Sequence, residues 1–70
     1  MSIHESPLEL AHRHVREAQQ RITKQRQRIL ELQRDGHDTS SAEGLLATFE
    51  QTLTLMRNHL AEEERLDGGR

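Results

Sequence analysis

The chain has 70 residues, no cysteine and a formal charge of −2, with 31% of its residues apolar, 31% charged and Phe49 as its one aromatic. This length bounds it to one small domain, and the lack of cysteine excludes disulfides and thiolate zinc sites. Small scaffolds without such staples depend on oligomerisation or a metal, and self-association is the expectation here.

The first residues, Met1 to Ser6, lack a basic stretch followed by an apolar run, so no secretory signal is expected. No segment has the apolar length needed to span a bilayer, and the cytoplasm is the expected compartment. A single helical-hairpin domain over residues 1–70 is predicted, with residues 1–6 and 67–70 as frayed tails.

Helix 1 is predicted from about 7 to 35. Ser6 can cap it, Pro7 suits its first position, and Glu9 completes a capping box. Leu8, Ala11, Val15, Ala18, Ile22, Gln25, Ile29 and Leu32 then follow at alternating steps of three and four. That spacing keeps one stripe facing a partner helix. Gln25 is the one uncharged polar member. Either it is buried and fixes register, as polar residues at such positions do, or it sits at the seam edge with its amide in water.

Gly36 supplies the left-handed conformation that ends many helices, and His37, Asp38 and Thr39 make the turn. The turn glycine, Asp38 and Thr39 have structural reasons to be there, whereas His37 is read simply as a polar turn residue.

Helix 2 is predicted from about 39 to 66, capped by Asp38, Thr39 or Ser40, the last forming a box pattern with Glu43. Its ladder is Ala42, Leu46, Phe49, Leu53, Met56, Leu60 and Glu63. An antiparallel hairpin folded about His37 pairs Leu32 with Ala42, Ile29 with Leu45 and Leu46, Gln25 with Phe49, Ile22 with Leu53 and Ala18 with Met56. The expected core is therefore Leu8, Val15, Ile22, Gln25, Ile29 and Leu32 against Leu46, Phe49, Leu53, Met56 and Leu60.

Charge is divided between the helices. Helix 1 carries Arg13, Arg16, Arg21, Lys24, Arg26, Arg28 and Arg34 against Glu9, Glu17, Glu31 and Asp35, whereas helix 2 carries Asp38, Glu43, Glu50, Glu62, Glu63, Glu64 and Asp67 against Arg57 and Arg65. The antiparallel register sets Arg26 beside Glu50 and His12 beside Glu64. Exposed pairs of this kind select orientation more than they stabilise.

One flank of helix 2 is wider than a two-helix contact needs. Leu45, Thr52, His59 and Leu66 recur every seven residues beside the main seam, with Thr48 and Leu55 adjacent. This row is the expected interface of a two-fold dimer forming a four-helix bundle.

Five histidines raise the question of metal. His12 and His14 point to different sides of a helix, but His14, His59 and Glu63 share a flank and could hold zinc with an open position. No local metal motif supports this, and no metal or cofactor is expected. Nucleic-acid binding through basic helix 1 is disfavoured, because the cations spread around the helix and no aromatic stands among them to stack on bases. Membrane binding is disfavoured because helix 2 claims the apolar stripe. Catalysis finds no cysteine nucleophile, no glycine-rich phosphate loop and no histidine placed beside a serine and a carboxylate, so an enzyme is not expected.

The stretch Gly36-His37-Asp38-Thr39, followed by Ala42, Leu45-Leu46, Phe49-Glu50 and Leu53, resembles a group of very small bacterial proteins with the pattern G-H-D-T-x-x-A-x-x-L-L-x-x-F-E-x-x-L. Upstream, His14-Val15, Ile22, Arg26, Ile29 and Leu32 are similar in spacing. The resemblance runs from His14 to Leu66 and implies a helical hairpin of bacterial origin, but transfers no activity and no site. The sequence reading is a coiled-coil-like, non-enzymatic module for protein–protein interaction or regulation, acting as a homodimer on an unidentified protein partner. The alternatives are a metal- or pH-sensing bundle through His14 and His59, and a nucleic-acid-associated protein through helix 1.

Overall fold

A computed structural model describes residues 5–68; residues 1–4 and 69–70, which belong to the predicted tails, lie outside the described residues. Two α-helices, α1 (Pro7–Arg34) and α2 (Ser40–Gly68), pack against each other as a hairpin.

The start of α1 follows from its first four residues. Ser6 Oγ accepts the Glu9 amide at 3.0 Å, Glu9 Oε1 accepts the Ser6 amide at 2.9 Å, and Pro7 follows the cap. Glu5, placed in a frayed tail by the sequence, is instead clamped by Arg13, whose Nε and Nη2 both donate to its carboxylate. Eight residues of spacing bring the arginine two turns back along the helix toward it, and with Ser6 in the cap two residues of the expected tail make defined contacts with α1.

Helix α1 ends at Arg34, one residue short of expectation, with Asp35 as its cap and Gly36 at φ 78°. The Gly36 amide donates to Gln33 O at 3.1 Å and the His37 amide to Leu32 O at 2.9 Å. This pair of bonds is a Schellman motif. His37 therefore has a structural role after all, carried by its backbone: its N–H closes the outer bond.

Helix α2 starts at Ser40 and not 39, and the proposed Ser40–Glu43 box does not form. Asp38 Oδ1 takes both the Ser40 amide (2.9 Å) and the Ser40 hydroxyl (2.8 Å), while Thr39 Oγ1 donates to Glu43 Oε2 at 2.7 Å. The two hydrogen bonds hold the Asp38 carboxyl below its ordinary pKa, the backbone bond contributing most. At its far end α2 runs through Gly68, two residues past the prediction. The stretch from Glu62 to Arg65 is built of good helix formers and nothing in it stops the helix.

The seam is unevenly closed. Ala11, Val15, Ala18, Ile22 and Ile29 of α1 are buried, with Ala11 at 1% exposure and Ala18 at 4%. The small alanines let α2 approach closely. Leu8 and Leu32, expected in the core at the two ends of the seam, are only half-buried. On α2 no residue is buried: Leu46, Phe49, Leu53, Met56 and Leu60 lie on the seam but are half-buried. A single neighbouring helix leaves the outer sides of these long side chains uncovered. Gln25 falls between its two readings: it is half-buried, with Nε2 donating to Ala42 O across the seam at 2.9 Å.

The anticipated interhelical neighbours lie together: Arg26 pairs with Glu50 at 3.1 Å, and His12 Nε2 lies 3.9 Å from Glu64 Oε2. Two shallow grooves flank the seam. Ala18 and Met56 border one, Ile22 and Leu53 the other, so the expected antiparallel neighbours do lie together. The result is one layer of helices, 12 Å thick between Cα extremes, with a radius of gyration of 16.0 Å. A compact chain of this length would have a radius near 11 Å.

Candidate functional site

Helical periodicity places Leu45, Thr52, His59 and Leu66 in a row on one flank of α2, with Thr48 and Leu55 beside it. Leu45, Leu55 and Leu66 are 45%, 64% and 53% exposed. His59 is exposed as well, and Thr52 is half-buried against the groove bordered by His14, Ala18 and Met56.

The threonines of this row have satisfied hydroxyls. Thr48 Oγ1 donates to Gly44 O at 3.3 Å, and Thr52 Oγ1 to Thr48 O at 3.1 Å. Such back-bonding to the preceding turn leaves the methyl groups as the outward chemistry. The row can therefore be covered without leaving an unpaired hydroxyl behind.

The acidic side chains of α2 lie mainly elsewhere. Glu43 meets Thr39, Glu50 meets Arg26 and Glu64 faces His12, all in the turn or on the opposite flank. Glu62, which does border the row, pairs with Arg65.

The proposed metal trio is not brought together. His59 Nε2 lies 3.8 Å from Glu63 Oε2, one turn away, while His14 lies in the groove beside Thr52 and Met56. Among the described residues no three histidine, aspartate or glutamate side chains converge as a metal ion requires. Among the basic side chains of α1, Arg16 and Lys24 border an open depression with Gln19, Gln20 and Thr23, and Arg21 and Lys24 border another with Glu17 and Gln20. Among the described residues no helix is long and apolar enough to cross a membrane.

Two features escaped the sequence reading. Leu30 is 61% exposed on the flank of α1 away from the row, beside the buried Ile29; its lone position outside the ladder was the available sign. Arg13 bridges Glu5 and Glu17, at 2.9 and 3.0 Å. The Arg13 hydrogen bond holds Glu5 below its ordinary pKa, and the two carboxylates together raise that of the arginine. The four-residue spacing of Arg13 and Glu17 was legible as a helix pair.

Comparison of the chain with protein-family models, with curated proteins and with solved structures finds no match.

Proposed function

We propose that this chain is a small non-enzymatic interaction module that works as a homodimeric four-helix bundle, in which a second copy covers the exposed row of α2 and the charged outer flanks remain to dock a protein partner. The observation that carries this reading is the uncovered apolar surface of α2, with three leucines standing in solvent and no residue of the helix buried.

Area supports it independently. The accessible surface is 5493 Å², against roughly 4500 Å² expected of a compact 8.1 kDa monomer. The excess is close to the roughly 800 Å² that each partner buries in a standard interface. Domains are normally built from two packed layers, and this hairpin supplies one.

Light scattering at micromolar concentration tests the proposal. A mass twice the 8.1 kDa of the chain, with a melting temperature that rises with chain concentration, is expected. A monomer mass with a concentration-independent melt would overturn it.

A further inference from the structure

We infer that the second copy docks α2 on α2, antiparallel, across a two-fold axis passing beside Leu55. This inference rests on the homodimer proposed above and adds which helices meet and in what register.

A two-fold contact is isologous: if residue i meets residue j, then j meets i. For two identical antiparallel helices the paired residue numbers then have a constant sum. An axis between Leu55 and Met56 makes that sum 111, setting Leu45 against Leu66 of the second copy and Thr52 against His59, with the Leu55 side chains of the two copies flanking the axis. Each leucine of the row then meets a leucine, and nearly the whole of α2, Ser40–Gly68, overlaps its copy. Sliding the register by one heptad either way puts Leu45 or Leu66 beyond the partner helix and sets the remaining end leucine against a polar residue.

Charge permits this pairing on an otherwise acidic helix. Six acidic side chains stand on α2 against two basic ones, so self-contact through most of its faces would be repulsive. The exposed row is the exception. It is bordered by Glu62, which is engaged by Arg65, and by Glu63, which lies 3.8 Å from His59; both come level with Thr48 of the second copy and not with an acidic residue. The threonine hydroxyls are already bonded to their own helix, so closure strands neither of them. The competing arrangement, α2 against α1 of the second copy, sets Leu45 against Arg28 and Thr52 against Arg21, and gives none of the three leucines a leucine to meet. On α1, Glu17 lies with Arg21 at the level of Thr52 and Met56, so the same axis brings opposite charges of the two copies near each other.

Single-cysteine variants of this cysteine-free chain test the inference under mild oxidation. Leu55→Cys is expected to cross-link with itself at least about tenfold faster than Ala47→Cys, which lies on the other flank, because proximity in the dimer raises effective concentration. Leu45→Cys and Leu66→Cys are expected to link to each other when mixed and to link to themselves no faster than Ala47→Cys. Circular dichroism and light scattering on each reduced variant establish that it is folded and dimeric. If the native chain is dimeric but Leu45→Cys links to itself or to Arg28→Cys, the α2–α2 register is wrong while the homodimer stands. A monomeric native chain removes both.

Discussion

Replacement of Gln25 separates two contributions at a single seam position. Its amide donates to Ala42 O at 2.9 Å from a half-buried site, and a net intramolecular hydrogen bond stabilises by about 0.5–1.5 kcal/mol. Ala42 O keeps its own helical partner, the Leu46 amide one turn on, so losing the glutamine strands no acceptor. In Gln25→Leu the lost bond is offset by apolar burial. A fully buried leucine contributes about 1.5–3 kcal/mol, and half of that is the appropriate scale here. The two terms nearly cancel, with a small balance toward stabilisation. In Gln25→Ala both the bond and the packing of the stem disappear, at a cost of about 1–2 kcal/mol. For a domain of this size 1 kcal/mol moves the melting temperature by about 4–8 °C. Melting followed by circular dichroism at one fixed chain concentration should therefore place Gln25→Leu at or slightly above the native chain and Gln25→Ala clearly below it. Light scattering on Gln25→Leu is expected to show a broadened mass distribution, because the hydrogen bond also pins the register. A leucine variant that melts as low as the alanine variant would refute this reasoning, since the bond alone would then govern the site.

Gly36→Ala is expected to destabilise by about 1–2 kcal/mol, because φ is 78° there and the cost is conformational, no atom lying within 4 Å of the added methyl. Gly44→Ala has the same open space but helical geometry, and should stabilise by about 0.5–1 kcal/mol; chemical denaturation of the two variants measures both signs. Ser6→Ala removes the acceptor of the Glu9 amide and should lower stability by about 1 kcal/mol in the same assay. Asp38 has a depressed folded pKa, so its contribution is fully present above its ordinary value of 3.8 and is lost as pH falls through the folded value. The stability difference between the native chain and Asp38→Ala should accordingly be constant above about pH 5 and shrink on acidification; a difference that grows in acid would contradict this sign.

The hairpin was legible because local chemistry and periodicity agreed. Ser6, Pro7 and Glu9 marked one helix start, Gly36 marked the stop, and two ladders of matching length required an antiparallel fold. The start of α2 was less legible because Asp38, Thr39 and Ser40 offer three caps of similar chemistry in succession, and only coordinates show which oxygen takes the Ser40 amide. The unequal burial of the seam was also hidden. A ladder reports which residues face the partner but not how much of Phe49 or Met56 a single neighbouring helix leaves uncovered. The row from Leu45 to Leu66 could be read from spacing alone. The geometry of His14, His59 and Glu63 could not, because helical spacing fixes their flank and leaves open where each ring points.

The burial of α1 has a consequence during synthesis. A ribosome delivers α1 first, and the 29 residues of α2 need roughly 1.5–6 s to follow at about 5–20 residues per second. Helix formation itself takes about a microsecond, so α1 has time to form before α2 is complete, and until then its stripe of alanine, valine and isoleucine has no partner helix. The seven cations along that rod keep such an intermediate hydrated and repel neighbouring nascent copies until the acidic second rod emerges.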